Sequence, residues 1–292
     1  MTRRKTMYTS YNEACGKDCS DLFTDLTLCE KAGFDYIEIR LDMLRKYLET
    51  GTLDELNRFF AQSRLKPHAI NAVYLYQDFL KEGKDTPDDP IMQDFLLACE
   101  AGHAIGSQYV IIVPPLDPSG IFLGDVKAAE ADCIRILRKL SSLARPYGMN
   151  LCFELVGLKK SCVRTVEAAD RIVRAVNEDN VGFVFDSYNI YLCGQCNDFS
   201  ALAQVQPEKI FAVHLMSGDE VPEEKMGQDK RCFPGSGAVD TDSFLKTLKE
   251  CGYNGMVSVE TFRPEYWTKT PEWVIENAYR TTYEALKKNG CL

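Results

Sequence analysis

The sequence predicts an α/β fold of the (β/α)8 barrel type, a single TIM barrel, and three observations carry that expectation. Eight short apolar runs alternate with eight stretches of helical spacing along the chain. Glycines stand between helix and strand, where a left-handed cap is needed. Polar residues recur on the small-residue face of the last four apolar runs, near their C-terminal ends. Strict alternation of strand and helix gives a parallel sheet, and that number of strands closes into a barrel. The competing reading is an open, doubly wound sheet, which usually shows a Gly-rich phosphate turn after an early strand. Neither GxGxxG nor a P-loop occurs in the chain.

The elements follow in order. The strands are expected at Met7–Asn12, Tyr36–Leu41, His68–Leu75, Tyr109–Pro115, Asn150–Gly157, Val181–Asn189, Ile210–Ser217 and Met256–Phe262, each a short apolar run. Between them, helix spacing appears at Ser20–Ala32, Leu53–Gln62, Ile91–Ile105, Asp125–Arg145, Thr165–Val176, Asp198–Val205, Asp242–Cys251 and Pro271–Lys288. Gly33, Gly106, Gly148 and Gly252 each close a helix before the next strand, at the position where only glycine is free of strain. Pro271 suits a first helical turn. No linker, repeat or composition break divides the chain, so residues 1–292 read as one domain, with residues 1–6 a flexible N-terminal extension.

Side-chain parity sharpens the expectation. On the fifth strand Leu151, Phe153 and Leu155 share one face, and Cys152 and Glu154 the other. The sixth sets Phe183 and Phe185 against Gly182, Val184 and Asp186. The seventh sets Phe211 and Val213 against Ala212 and His214, and the eighth Val257 and Val259 against Ser258 and Glu260. Large apolar residues suit the helix-facing outside, and small ones the tapered interior. Glu154, Asp186, His214 and Glu260 therefore point inward at the end of the barrel that is catalytic in this fold.

Composition narrows the function. With 45% hydrophobic and 26% charged residues the chain is neither disordered nor low in complexity. The basic start Met1–Thr6 leads into no apolar segment, and no run is long enough to cross a bilayer, so a cytoplasmic protein without a membrane partner is expected. Twelve cysteines suit a reducing compartment, and Cys193-Gly-Gln-Cys196 lacks the second ligand pair a zinc knuckle needs. A formal charge of −9, with only Arg3-Arg4-Lys5 as a basic cluster, argues against nucleic acid. A homo-oligomer is left open.

Three inward carboxylates beside one imidazole repel one another and resist desolvation. One divalent metal ion resolves that conflict, and the oxygen-rich set Glu154, Asp186, His214 and Glu260 suits Mn2+, Co2+ or Mg2+ without excluding Zn2+. Taken singly, each residue reads as an edge charge, a helix cap or a satisfied interior histidine; four matching parities turn the balance toward a metal site. Arg231-Cys-Phe-Pro-Gly-Ser-Gly237 lies on a long loop after the seventh strand, either a lid that delivers Arg231 to an oxyanion or a surface loop. Glu38 and Arg40 share the inward face of the second strand, and a structural ion pair filling the barrel is the first expectation for them.

These residues resemble the xylose-isomerase-like TIM barrels of sugar isomerases and epimerases, and most of all their inosose isomerase branch. The resemblance covers nearly the whole chain and is strongest at Gly33–Arg40, Phe153–Gly157, Asp179–Ser187, Pro234–Gly237 and Val257–Tyr266. It implies that Glu154, Asp186, His214 and Glu260 are the metal ligands and that Glu154 and Glu260 are the acid–base pair. It also implies a small polyol or keto-sugar substrate, with contacts expected from Arg231, Asn189, Asn71 and Glu38. One departure stands out: the family usually has Asp-x-x-His on strand six, where this chain has Asp186-Ser-Tyr-Asn189.

The implied activity is a metal-dependent isomerisation of keto-inositols of the 2-keto-myo-inositol type. A proton would move between adjacent carbons through a cis-enediolate. Alternatives are a ketose 3-epimerase or inosose dehydratase of the same barrel, and a non-catalytic sugar-binding protein, a reading that Asn189 keeps open. A DNA-repair endonuclease of the same superfamily needs several histidines, and only His68, His103 and His214 are present.

Overall fold

In a computed structural model, residues 7–75, 83–194 and 196–292 are described, and the expected extension at residues 1–6 lies outside them. Eight parallel strands close the barrel. They are β1 (Tyr8–Asn12), β2 (Tyr36–Arg40), β3 (Lys66–Tyr74) and β4 (Tyr109–Val113). The circle continues with β5 (Asn150–Glu154), β6 (Val181–Asp186), β7 (Ile210–His214) and β8 (Met256–Val259), and β8 returns to pair with β1.

The outer layer is helical. Its members are α1 (Leu22–Ala32), α2 (Leu41–Leu48), α3 (Leu53–Gln62), α4 (Pro90–Ile105) and α5 (Val126–Ala144). Then come α6 (Val166–Val176), α7 (Ser187–Leu192), α8 (Thr241–Glu250), α9 (Pro264–Trp267) and α10 (Pro271–Lys288). Local chemistry starts and stops them. Asp21, Thr52, Asp89, Asp125 and Thr165 accept from backbone N–H groups of the first turn of the helix each precedes. Gly33 and Gly106 end α1 and α4 in the left-handed region.

Strand parity divides the apolar residues into two cores. Leu151, Phe153, Leu155, Phe183, Phe185, Val213, Val257 and Val259 lie in the large layer between barrel and helices. Ala69, Ile111, Cys152, Val184 and Ala212 fill the barrel itself. The inner residues are small or slender because eight strands leave little room around the axis.

Two sequence expectations need correction. The helix expected at Asp198–Val205 is a single 3-10 stretch, Ser200–Gln204. Pro207 explains this, since the residue before a proline is driven out of the α region and Val205 is already extended. The last four strands were each expected to run three residues further than they do. Beyond Asp186 the apolar pattern continues, but the chain has already turned into α7.

Candidate metal centre and active site

Each of the four inward polar residues is delivered by its own strand. Glu154, Asp186 and His214 close β5, β6 and β7, and Glu260 follows the last residue of β8. Asp186 and His214 sit directly opposite each other in the β6–β7 register. One donor atom from each of the four residues lies within 4.8 Å of all the others. All four residues are buried.

Their orientations are fixed by neighbours. Asp186 caps α7: its Oδ1 accepts from the Asn189 backbone N–H at 2.7 Å, which leaves Oδ2 turned to the cluster. Asn189, on the first turn of α7, donates its side-chain amide to Glu154 Oε1 at 2.9 Å. Asn12 and Asn71 both donate to Glu260 Oε1, at 3.0 and 3.2 Å. His214 Nδ1 lies 3.4 Å from Glu260 Oε2 and 4.0 Å from Asp186 Oδ2.

Arg231 enters this cluster from above. Ser217–Gly218 pairs antiparallel with Arg231–Cys232, so the loop after β7 is anchored as a small ribbon. The guanidinium is 1% exposed, with Nη1 2.7 Å from Asp186 Oδ2 and 2.8 Å from Glu260 Oε2. It lies between the rings of Tyr188 and Phe262, and Gln228 accepts from its Nε. Of the two readings open from sequence, the free surface loop is thereby ruled out.

Glu38 and Arg40 do not form the ion pair expected of them. Arg40 makes a bidentate pair with Asp42, both contacts at 2.9 Å. Glu38 lies deeper in the barrel, wholly buried, with Oε2 2.9 Å from Asn12 Nδ2 and 2.9 Å from His214 Nε2. Two residues apart on a strand means two different barrel levels, and each side chain met a nearer partner than the other. Glu38 is also absent from the walls of the substrate-sized cavity described next.

Burial and mutual repulsion polarise the site. Burial, then the Glu260 charge, pushes the Glu154 carboxyl up to about 8. At Glu260 burial acts in the same sense but is outweighed by His214, Arg231 and Arg40, which hold it down at about 2. Burial raises Asp186 despite the guanidinium of Arg231. At His214 burial opposes the charged ring, yet Glu38 and Glu260 overcome it and raise the pKa well above the usual histidine range.

Above the cluster lies a cavity of about 230 Å3, walled by Asn71, Tyr74, Glu154, Asn189, Arg231, Glu260 and Phe262 among others. It is smaller than the pockets that take drug-sized ligands, and it suits a single ring. A larger cavity of about 960 Å3 opens at the opposite end of the barrel, lined by Tyr36, His68, Tyr109 and Phe211. Glu154, Asp186, His214 and Glu260 do not line it, and the catalytic end of this fold is the other one.

The donor set fits a divalent cation. It offers three carboxylates and an imidazole on rigid strand ends, and among the described residues neither Asp186 Oδ2 nor either ring nitrogen of His214 has an aligned hydrogen-bond partner. The structure brings together the four residues expected as ligands, with Asn71, Asn189 and Arg231 beside them. Sequence reasoning missed Asn12, Tyr74 and Phe262. Asn12 carried a readable signal, since it shares the inward parity of Ser10 at a C-terminal strand end.

A parallel eight-stranded barrel with such a centre at its C-terminal mouth defines a class of enzymes, and comparison with known proteins gives the same class. Residues 26–287 match the family described as the xylose isomerase-like TIM barrel, and the chain belongs to that family. Among its relatives are the inosose isomerases of Bacillus velezensis and Bacillus subtilis. They are 38% and 37% identical over 95% of this chain and over 96% and 97% of their own lengths. A crystal structure of IOLI protein with a binding zinc atom superposes with a TM-score of 0.89 at 36% identity, covering 97% of this chain and 99% of that one. The expectation of an isomerase-type enzyme stands with these relatives.

Proposed function

We propose that this chain is a metal-dependent inosose isomerase that shifts the carbonyl of a keto-inositol of the 2-keto-myo-inositol type to the adjacent carbon. The observation that carries the reading is the convergence of Glu154, Asp186, His214 and Glu260, all buried, at the end of a barrel shared over nearly full length with inosose isomerases. A divalent cation held by these four side chains supplies positive charge against the substrate oxygens on which negative charge develops. The zinc in the related structure supports a cation here, while Mn2+, Co2+ and Mg2+ suit the same donors. The twelve free thiols support placing the enzyme in the cytoplasm.

The residues divide the work. Glu154 and Glu260 reach the mouth from β5 and β8, across the cluster from each other. One removes the proton from the hydroxyl-bearing carbon beside the carbonyl, giving a cis-enediolate. The hydroxyl proton passes to the former carbonyl oxygen, and the other glutamate, entering protonated, returns a proton to the former carbonyl carbon. Asn189 orients Glu154, and Asn12 and Asn71 orient Glu260. Arg231 brings a fixed positive charge to the cavity, held by Gln228 and by the rings of Tyr188 and Phe262. Phe262 and Arg231 also form part of the cavity wall.

Glutamine keeps a ligating oxygen but cannot take up a proton, so it separates metal loss from lost chemistry. Glu154→Gln and Glu260→Gln should keep metal and each lose at least ~10²-fold in turnover of 2-keto-myo-inositol. Normal turnover by both variants with metal retained would contradict the assignment. Faster turnover of free ketoses, or release of water from the inosose, would instead favour the epimerase or dehydratase readings.

A further inference from the structure

Glu38 is a carboxylate in the barrel interior, 0% exposed, beneath the four-residue cluster. Among the described residues no lysine or arginine lies within ion-pair distance of it; His214 Nε2 does, at 2.9 Å. A lone buried carboxylate is costly, and an apolar residue of similar volume usually serves stability as well or better. Its retention at this level of the barrel asks for a reason outside packing.

The reason lies in the two nitrogens of one ring. Nε2 of His214 lies 2.9 Å from Glu38 Oε2, close enough to donate after a small turn of the ring, whereas Nδ1 faces Asp186 Oδ2 and Glu260 Oε2. An imidazole that gives its Nε2 proton to a carboxylate holds its lone pair on Nδ1, on the side where Asp186 and Glu260 present their oxygens. We propose that Glu38 is a positioning residue that fixes the His214 ring as the Nε2–H tautomer, so that Nδ1 is the ligating atom.

The support for Glu38 is itself built in. The Asn12 side-chain amide donates to Glu38 Oε2 and to Glu260 Oε1, at 2.9 and 3.0 Å. Asn12 is held in turn, because its Oδ1 accepts from the Ala14 backbone N–H at 2.9 Å. One rigid amide thus locks the carboxylate beneath the imidazole to the carboxylate beside it. β1, β2, β7 and β8 all contribute to this brace. The inference rests on the reading of the cluster as a metal centre and adds the residue that orients its one nitrogen ligand.

The test uses the full chain. Wild type, Glu38→Gln and Glu38→Ala are titrated with Zn2+ in competition with a chromophoric chelator, and imidazole 15N–1H spectra are recorded on the loaded proteins. With three histidines in the chain the ring signals are few. Wild type should show His214 ligated through Nδ1, with a strongly deshielded Nε2 proton. Glu38→Ala should bind Zn2+ about ten- to a hundredfold more weakly and lose that proton's deshielding. Glu38→Gln keeps an acceptor oxygen and should recover most of the affinity, with the Nε2 proton moved upfield. If alanine does not fold, the glutamine variant decides alone, because an unmoved Nε2 proton would overturn the role. Wild type that binds Zn2+ while both variants bind equally well, with unchanged ring signals, removes Glu38 from the account and leaves the metal centre standing. Wild type that takes up no Zn2+ removes the centre and this inference with it.

Discussion

Glu260 shows how much one residue is asked to do here. Its Oε1 accepts from two asparagine amides on β1 and β3, and its Oε2 faces the guanidinium of Arg231 and the ring of His214. Such a group stays ionised because His214, Arg231 and Arg40 together outweigh its burial. Glu154, with one amide partner and otherwise buried, keeps its proton to a far higher pH. Arg231 pairs with Glu260 and lines the cavity above the cluster. Arg231→Ala should leave metal content intact and lower kcat/KM by an amount equivalent to about 1–3 kcal/mol. Steady-state kinetics with metal analysis checks this, and an unchanged kcat/KM would make the arginine a bystander. At this scale the clustering of Glu154, Asp186, His214 and Glu260 was legible in sequence because parity on short strands is a strong signal. Asn12 stands 248 residues from Glu260, and nothing local in the chain ties the two together. Glu38 and Arg40 were legible as inward residues but not as strangers to each other, since parity fixes a face and not a level.

Among the elements, α7 matters most and was not foreseen. The run from Val181 through Asn189 reads as one long strand, yet Asp186 ends β6 and caps the helix that follows. A capping aspartate is invisible to hydrophobic periodicity, which sees only the continuing apolar residues Tyr188 and Ile190. The same carboxylate therefore spends one oxygen on the helix and turns the other to the cluster. Gly157 lets α7 come close enough to do this: a Cβ there would lie 2.0 Å from the Asn189 carbonyl oxygen and 2.8 Å from Leu192 Cβ. Backbone cannot yield as a flexible side chain can. Gly157→Ala should push α7 away and destabilise the protein by about 1–3 kcal/mol. Because Asn189 and Asp186 would move with the helix, turnover should fall as well. Thermal unfolding and kinetics on the same variant test this, and an unchanged Tm would show that the contact is looser than the geometry implies.

For the whole molecule, buried carboxyls away from the metal cluster make stability depend on pH, Asp25 and the neighbouring Glu13 among them. Asp25 on α1 is fully buried; its Oδ1 accepts from Ser20 Oγ at 2.5 Å, and among the described residues its Oδ2 has no hydrogen-bond partner. Burial raises its pKa to about 7, with Ser20 acting in the opposite sense. An unfolded aspartate titrates near ~3.9, so the folded state binds this proton more tightly. The resulting stabilisation is present in full below about pH 4 and is lost as the pH rises to about 7. Asp25→Asn removes that loss. Its Tm relative to wild type should therefore be higher at pH 8 than at pH 5, and an offset independent of pH would contradict the assignment. The barrel around this group was legible throughout, since alternation and glycine punctuation recur along the whole chain and errors at single ends do not accumulate.

Proton transfer at a carbon beside a carbonyl is the central claim, and exchange with solvent reads it directly. The enzyme, loaded with each candidate metal in turn, is incubated with 2-keto-myo-inositol in deuterated water, and the substrate and product are followed by proton NMR. The proton signal at the carbon beside the carbonyl should be lost, at a rate that depends on metal and falls in Glu154→Gln and Glu260→Gln. A metal-loaded wild type that exchanges no proton on any inosose or ketose would contradict the claim and leave a barrel that binds a sugar without transforming it.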